Sequence, residues 1–81
     1  MGKLRNRLAV LIAEYNVKHR PQQDKLTLQE LSKKTGVARE TLSRMVNGEA
    51  GVSGKTIESL CNFFQCQPGD LLFMDYPDDN Q

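Results

Sequence analysis

Tryptophan is absent, histidine occurs once and cysteine twice. Each shortage closes a line of chemistry. Cys61 and Cys66 stand five apart with no CxxC pair, and His19 alone cannot complete a Cys2His2 set, so no zinc site is expected and both thiols should be reduced and packed. With a single histidine, no paired carboxylates on a recognisable motif and no glycine-rich phosphate loop, nothing serves as nucleophile with base, so neither catalysis nor a cofactor is expected. No apolar run approaches the roughly 18 residues of a membrane span, and Met1 to Tyr15 lacks the continuous apolar stretch of a signal peptide. A soluble cytoplasmic protein with no membrane contact is the expectation.

The formal net charge is only +1, but it is unevenly spread. Residues 1–47 carry ten Lys/Arg against four Asp/Glu, and residues 48–81 carry Lys55 against six acids, so +6 in front is offset by −5 behind. A basic front half facing phosphates and an acidic end facing solvent or a partner would produce this pattern. A chain of 81 residues makes one domain, burying about 60–65% of its unfolded surface.

The richest stretch runs from Thr27 to Gly48, TLQELSKKTGVARETLSRMVNG. Thr27 and Glu30 fit a capping box, in which the hydroxyl accepts from one orphan N–H and the carboxylate reaches back to another. Gly36 suits a left-handed helix stop. A second periodic run from Arg39 to Asn47 ends at Asn47-Gly48. The spacing predicts two helices, 28–35 and 39–47, crossing over a short turn, with Leu31, Val37, Leu42 and Met45 as their shared core and Ser32 small at the close approach. Stepping about 100° per residue from Arg39, the apolar Leu42, Met45 and Val46 fall at about 240–340°, and Arg39, Glu40, Ser43, Arg44 and Asn47 at about 0–140°. One face is core and the other is built for hydrogen bonds.

Around this pair, the stripe Leu4, Leu8, Leu11, Ile12 and Tyr15 predicts a first helix over 3–16, although Lys3, Arg5 and Arg7 would then oppose its dipole. Residues 18–25, with Pro21 and no apolar residue, predict a polar loop carrying His19 at the surface. Ser53 suits the cap of a core helix over 54–64 carrying Ile57, Leu60, Cys61 and Phe64. Pro68 suits the first position of a short helix over 68–73, and residues 74–81 read as a frayed tail.

These motifs together resemble the Cro/CI-type helix-turn-helix, the XRE family of phage and bacterial repressors, over roughly residues 4–73. The resemblance implies an all-α fold: a compact five-helix, lambda-repressor-like DNA-binding domain. It further implies sequence-specific binding to double-stranded DNA, with the second helix of the motif in the major groove, where Arg takes guanine bidentately and a carboxylate accepts from cytosine. On that basis Arg39, Glu40, Ser43 and Arg44 are the expected base readers, with the Ala38 methyl against a thymine. Ala38 stands where the family commonly has a capping Ser or Thr, and Leu28 where it often has a phosphate-holding Gln. Thr27, Gln29, Lys33, Asn47 and Arg5 are the expected phosphate contacts.

Two functions of different class follow from this reading. The first is a small transcriptional regulator, a repressor that occupies a palindromic operator without a small-molecule ligand. The second is an antitoxin-like or accessory module that uses the same fold mainly to hold a protein partner. One recognition helix reads too few base pairs to select a site, so a twofold homodimer is expected, formed in solution or only on DNA, with Leu72, Phe73, Met74 and Tyr76 as its contact.

Overall fold

Thr27 and Gly36 bracket a helix by the chemistry their residue types offer. The Thr27 hydroxyl accepts from the Glu30 N–H at 3.1 Å, and Gly36 turns into the left-handed region at φ 79° with its N–H on the Ser32 carbonyl. The computed structural model describes residues 1–22 and 24–77. In chain order the elements are β1 (Lys3–Asn6), α1 (Leu8–His19), α2 (Leu28–Thr35), α3 (Arg39–Val46), α4 (Gly54–Phe64), α5 (Pro68–Leu71) and β2 (Leu72–Asp75). The described residues are thus mostly helical, with five helices, and β1 and β2 form a two-stranded sheet.

α2 and α3 cross over a turn held by side chains. The Ser32 hydroxyl donates to the Val37 carbonyl at 2.6 Å, while Thr35 Oγ1 donates to the Leu31 carbonyl and accepts from the Val37 N–H. Leu31, Val37, Leu42 and Met45 are all buried, together with Leu8, Leu26, Leu60 and Leu71. Burial of side chains this size stabilises by about 1.5–3 kcal/mol each. Val46, expected on the apolar arc, is instead 39% exposed.

The polar loop after α1 is tied down at two points. The buried Asn16 side chain accepts through Oδ1 from the Leu26 N–H at 2.8 Å, which anchors Leu26 in the core. The Arg20 guanidinium makes a two-pronged pair with the Glu30 carboxylate. This hydrogen-bonded pair holds the Glu30 carboxyl below the usual carboxylate range and pushes Arg20 above its own. α4 starts at Ser53, whose hydroxyl accepts from the Thr56 N–H. α5 starts with Pro68 and with the Asp70 carboxylate on the Gln67 N–H. Cys61 and Cys66 are free, half-buried thiols across the end of α4, and burial pushes Cys66 up to about 11.

Both ends of the chain depart from the helical expectation. Residues 3–6 are strand, not the start of a helix over 3–16; α1 begins only at Leu8 and runs to His19, so Lys18 and His19 lie in its last turn rather than in the polar loop. The last helix stops at Leu71 rather than at 73, and 72–75 form β2. The two strands pair antiparallel, with Lys3 opposite Asp75 and Asn6 opposite Leu72. A ladder partner some seventy residues away outweighs the local periodicity, and the strand relieves Lys3 and Arg5 of the unfavourable helix dipole. The Asn6 side chain fixes the switch: its Oδ1 accepts from the Leu8 N–H, and its Nδ2 donates to the Met45 and Glu49 carbonyls at 3.0 and 2.7 Å. The tail is therefore strand through Asp75, and the fraying expected for 78–81 lies outside the described residues.

Candidate nucleic-acid interface

α3 is the element around which charged and polar groups gather. Its buried side is anchored by Leu42 and Met45, both shielded from solvent. Its opposite side presents Arg39 and Glu40, exposed, with Ser43 half-buried between them and Arg44 exposed one turn further on. Arg39 makes no ion pair or side-chain hydrogen bond among the described residues, so both edges of its guanidinium are open. Ala38 caps the helix without a side-chain bond, which leaves the first N–H groups of α3 without a side-chain acceptor. That end of the helix carries the positive end of the dipole.

Arg44 is held differently. Gly48, at φ 112°, ends α3 and lets the Glu49 N–H reach the Arg44 carbonyl at 3.0 Å. This turn carries the Glu49 carboxylate to 3.5 Å from Arg44 Nε. The closest approach is through Nε, and no hydrogen bond from the Arg44 guanidinium is made among the described residues. Glu49, rather than the i−4 neighbour Glu40, is the partner. The sequence showed Glu49 only as an acid beside a glycine; its pairing depends on the turn geometry.

Thr27, Gln29 and Lys33 are exposed on α2 or at its start, and Asn47 is exposed at the end of α3. The Thr27 hydroxyl is already engaged by the Glu30 N–H, though an oxygen with two lone pairs keeps a free acceptor and its own O–H. Arg5 stands apart from this set. It is on β1, with its Nε on the Asp75 carboxylate at 3.0 Å, on the ribbon face opposite to Asn6. Arg7 likewise lies over the Phe73 ring, 4.3 Å from its centroid. Two of the three front cations are therefore committed within the ribbon and its base. Asn6, Ser32 and Thr35 support α3 and its turn without reaching its exposed face. Helical periodicity conceals the Asn6 role because its partners lie forty residues on.

This geometry of a buried-core helix after a glycine turn, with an open arginine at its N-terminal end, agrees with comparison to known proteins. Residues 7–78 match the Cro/C1-type HTH DNA-binding domain. The chain belongs to this family. The Cro/C1-type family is one of DNA-binding regulators and not of enzymes, and among the described residues no cluster of three His, Cys, Asp or Glu could hold a metal. A curated relative is the uncharacterized HTH-type transcriptional regulator YozG of Bacillus subtilis (strain 168), 39% identical over 49 residues. That alignment covers 59% of this chain and 58% of the relative. No solved structure matches the chain. No helix among the described residues is long and apolar enough to cross a membrane.

Proposed function

We propose that this Cro/C1-type chain is a cytoplasmic, sequence-specific repressor that occupies a palindromic operator as a homodimer, with α3 of each copy in the major groove. The single observation that supports it best is the open Arg39 at the N-terminal end of a helix whose other side is locked by Leu42 and Met45. A rigid helix with an unpaired guanidinium at its leading end can offer two parallel donors to guanine O6 and N7. Glu40 and Ser43 stand beside it as acceptor and hydroxyl, and the exposed Arg44 adds a second guanidinium on the same side of the helix. The exposed Lys33, Gln29, Thr27 and Asn47 set the helix against the backbone. Repression follows from occupancy alone, since a bound dimer denies the site to polymerase.

A salt series on binding to duplex DNA tests this reading. Affinity is expected to fall log-linearly with salt, at close to one unit of slope per phosphate neutralised, and Lys33→Ala should flatten the slope by about one unit. Duplex affinity that is negligible, or flat with salt, would reject DNA as the partner and favour a protein in its place.

A further inference from the structure

We propose that Asn6 is a positioning residue for DNA reading: through the carbonyls of Met45 and Glu49 it fixes the C-terminal end of α3, and with it the place of Arg44 against the DNA. The inference rests on α3 as the reading helix of the proposed function and adds what aims it. The last carbonyls of a helix have no partner within it, and α3 meets that shortage first with a turn of its own. The Gly48 N–H reaches the Met45 carbonyl at 2.9 Å and the Glu49 N–H the Arg44 carbonyl at 3.0 Å. Asn6 completes the end from outside, its Nδ2 donating to the Met45 carbonyl at 3.0 Å and to the Glu49 carbonyl at 2.7 Å. A primary amide has two N–H groups, and both are used. The orientation is forced, because the amide turned over would set Oδ1 against two carbonyl oxygens.

Asn6 is itself held from the other side. Its Oδ1 accepts from the N–H of Leu8 at 3.0 Å, and Leu8 opens α1 with its side chain fully buried. In the ribbon Asn6 stands opposite Leu72, and the next residue, Arg7, donates its N–H to the carbonyl of buried Leu71 at 2.7 Å. One half-buried side chain therefore ties the end of α3 to β1 and to the start of α1.

The apolar contacts of α3 hold the helix down without fixing its direction. Burial of Leu42 and Met45 is a non-directional attraction, whereas hydrogen bonds weaken steeply when their angles open. Arg44 lies between the two Asn6 bonds. Met45, the residue after it, carries one of them, and Glu49, whose N–H is on the Arg44 carbonyl and whose carboxylate is 3.5 Å from Arg44 Nε, carries the other. Arg39 stands at the opposite end of α3, where the Ser32 and Thr35 bonds to Val37 set the chain. Loss of the Asn6 donors should thus misplace Arg44 and spare Arg39.

Asn6→Ser and Asn6→Asp each keep an oxygen for the Leu8 N–H, and neither can donate to both carbonyls. Affinity is measured for the duplex selected from a random library and for a scrambled duplex, with each variant alone and combined with Arg44→Ala or Arg39→Ala. Both Asn6 variants should fold by circular dichroism and lose preference for the selected duplex by about 5-fold or more, the smaller end of what one base contact supplies. Affinity for the scrambled duplex and its salt slope should not change. Combined with Arg44→Ala, the loss should fall short of the product of the single losses by about 3-fold or more; combined with Arg39→Ala, the losses should multiply. Both variants unfolded at the assay temperature, equal loss on the two duplexes, or losses that multiply with Arg44→Ala would overturn the proposal. A wild type that prefers no duplex would overturn the DNA reading itself, and the positioning role with it.

Discussion

Leu42→Ala is expected to lower stability by about 2–5 kcal/mol, because it removes a fully buried side chain from the contact between α3 and the rest of the core. For a domain of this size each kcal/mol moves the melting temperature by roughly 4–8 °C, so a fall on the order of 10 °C or more should appear in a thermal melt. The effect is large because Leu42 and Met45 are what hold the exposed face of α3 in place. Gly36 makes a useful contrast. A Cβ there would meet nothing within 4 Å, so Gly36→Ala carries only the cost of a left-handed backbone, about 1–2 kcal/mol. A Leu42→Ala protein that melts with wild type would mean that α3 is not packed as described.

Arg39→Ala is expected to weaken binding to the preferred operator by about 1–3 kcal/mol, roughly 5- to 150-fold, and to relax discrimination at one base pair of each half-site. Fold stability should be unchanged, since Arg39 is exposed and makes no ion pair among the described residues. Arg44 is the weaker choice for this test, because its truncation also strands Glu49 without a partner. Binding measured on the preferred site and on its single-base variants distinguishes the roles. Equal loss on every sequence would reassign Arg39 to the phosphate backbone.

The parts of this fold legible in the sequence are those written in local chemistry. Thr27, Gly36 and Ser53 act on N–H and C=O groups within a turn of themselves, and α2 and α4 have the boundaries their caps predict. The exposed edge of α3 was legible for the same reason, as a matter of angle around one helix. The ribbon was not. Leu4, Leu8, Leu11 and Ile12 satisfy a helical stripe, and nothing near Lys3 announces that residues 72–75 return to pair with it. Arg44 makes the point at smaller scale: i, i+4 spacing offers Glu40, and only the turn at Gly48 brings Glu49 into reach. Asn6 likewise looks like a polar residue in a helix until its amide is found on the carbonyls of Met45, in the last turn of α3, and Glu49, just beyond it.

Selection of bound sequences from a random duplex library, carried out with wild type and with Arg39→Ala, bears most directly on α3 as the reader of DNA. Wild type should enrich a palindrome whose half-sites are centred about 34–36 Å apart, one turn of B-DNA or a multiple of it. Each half-site should hold a guanine whose preference the variant loses while the other positions persist. No enriched sequence from wild type, or an identical motif from the Arg39→Ala protein, would contradict the assignment of base reading to the exposed face of α3.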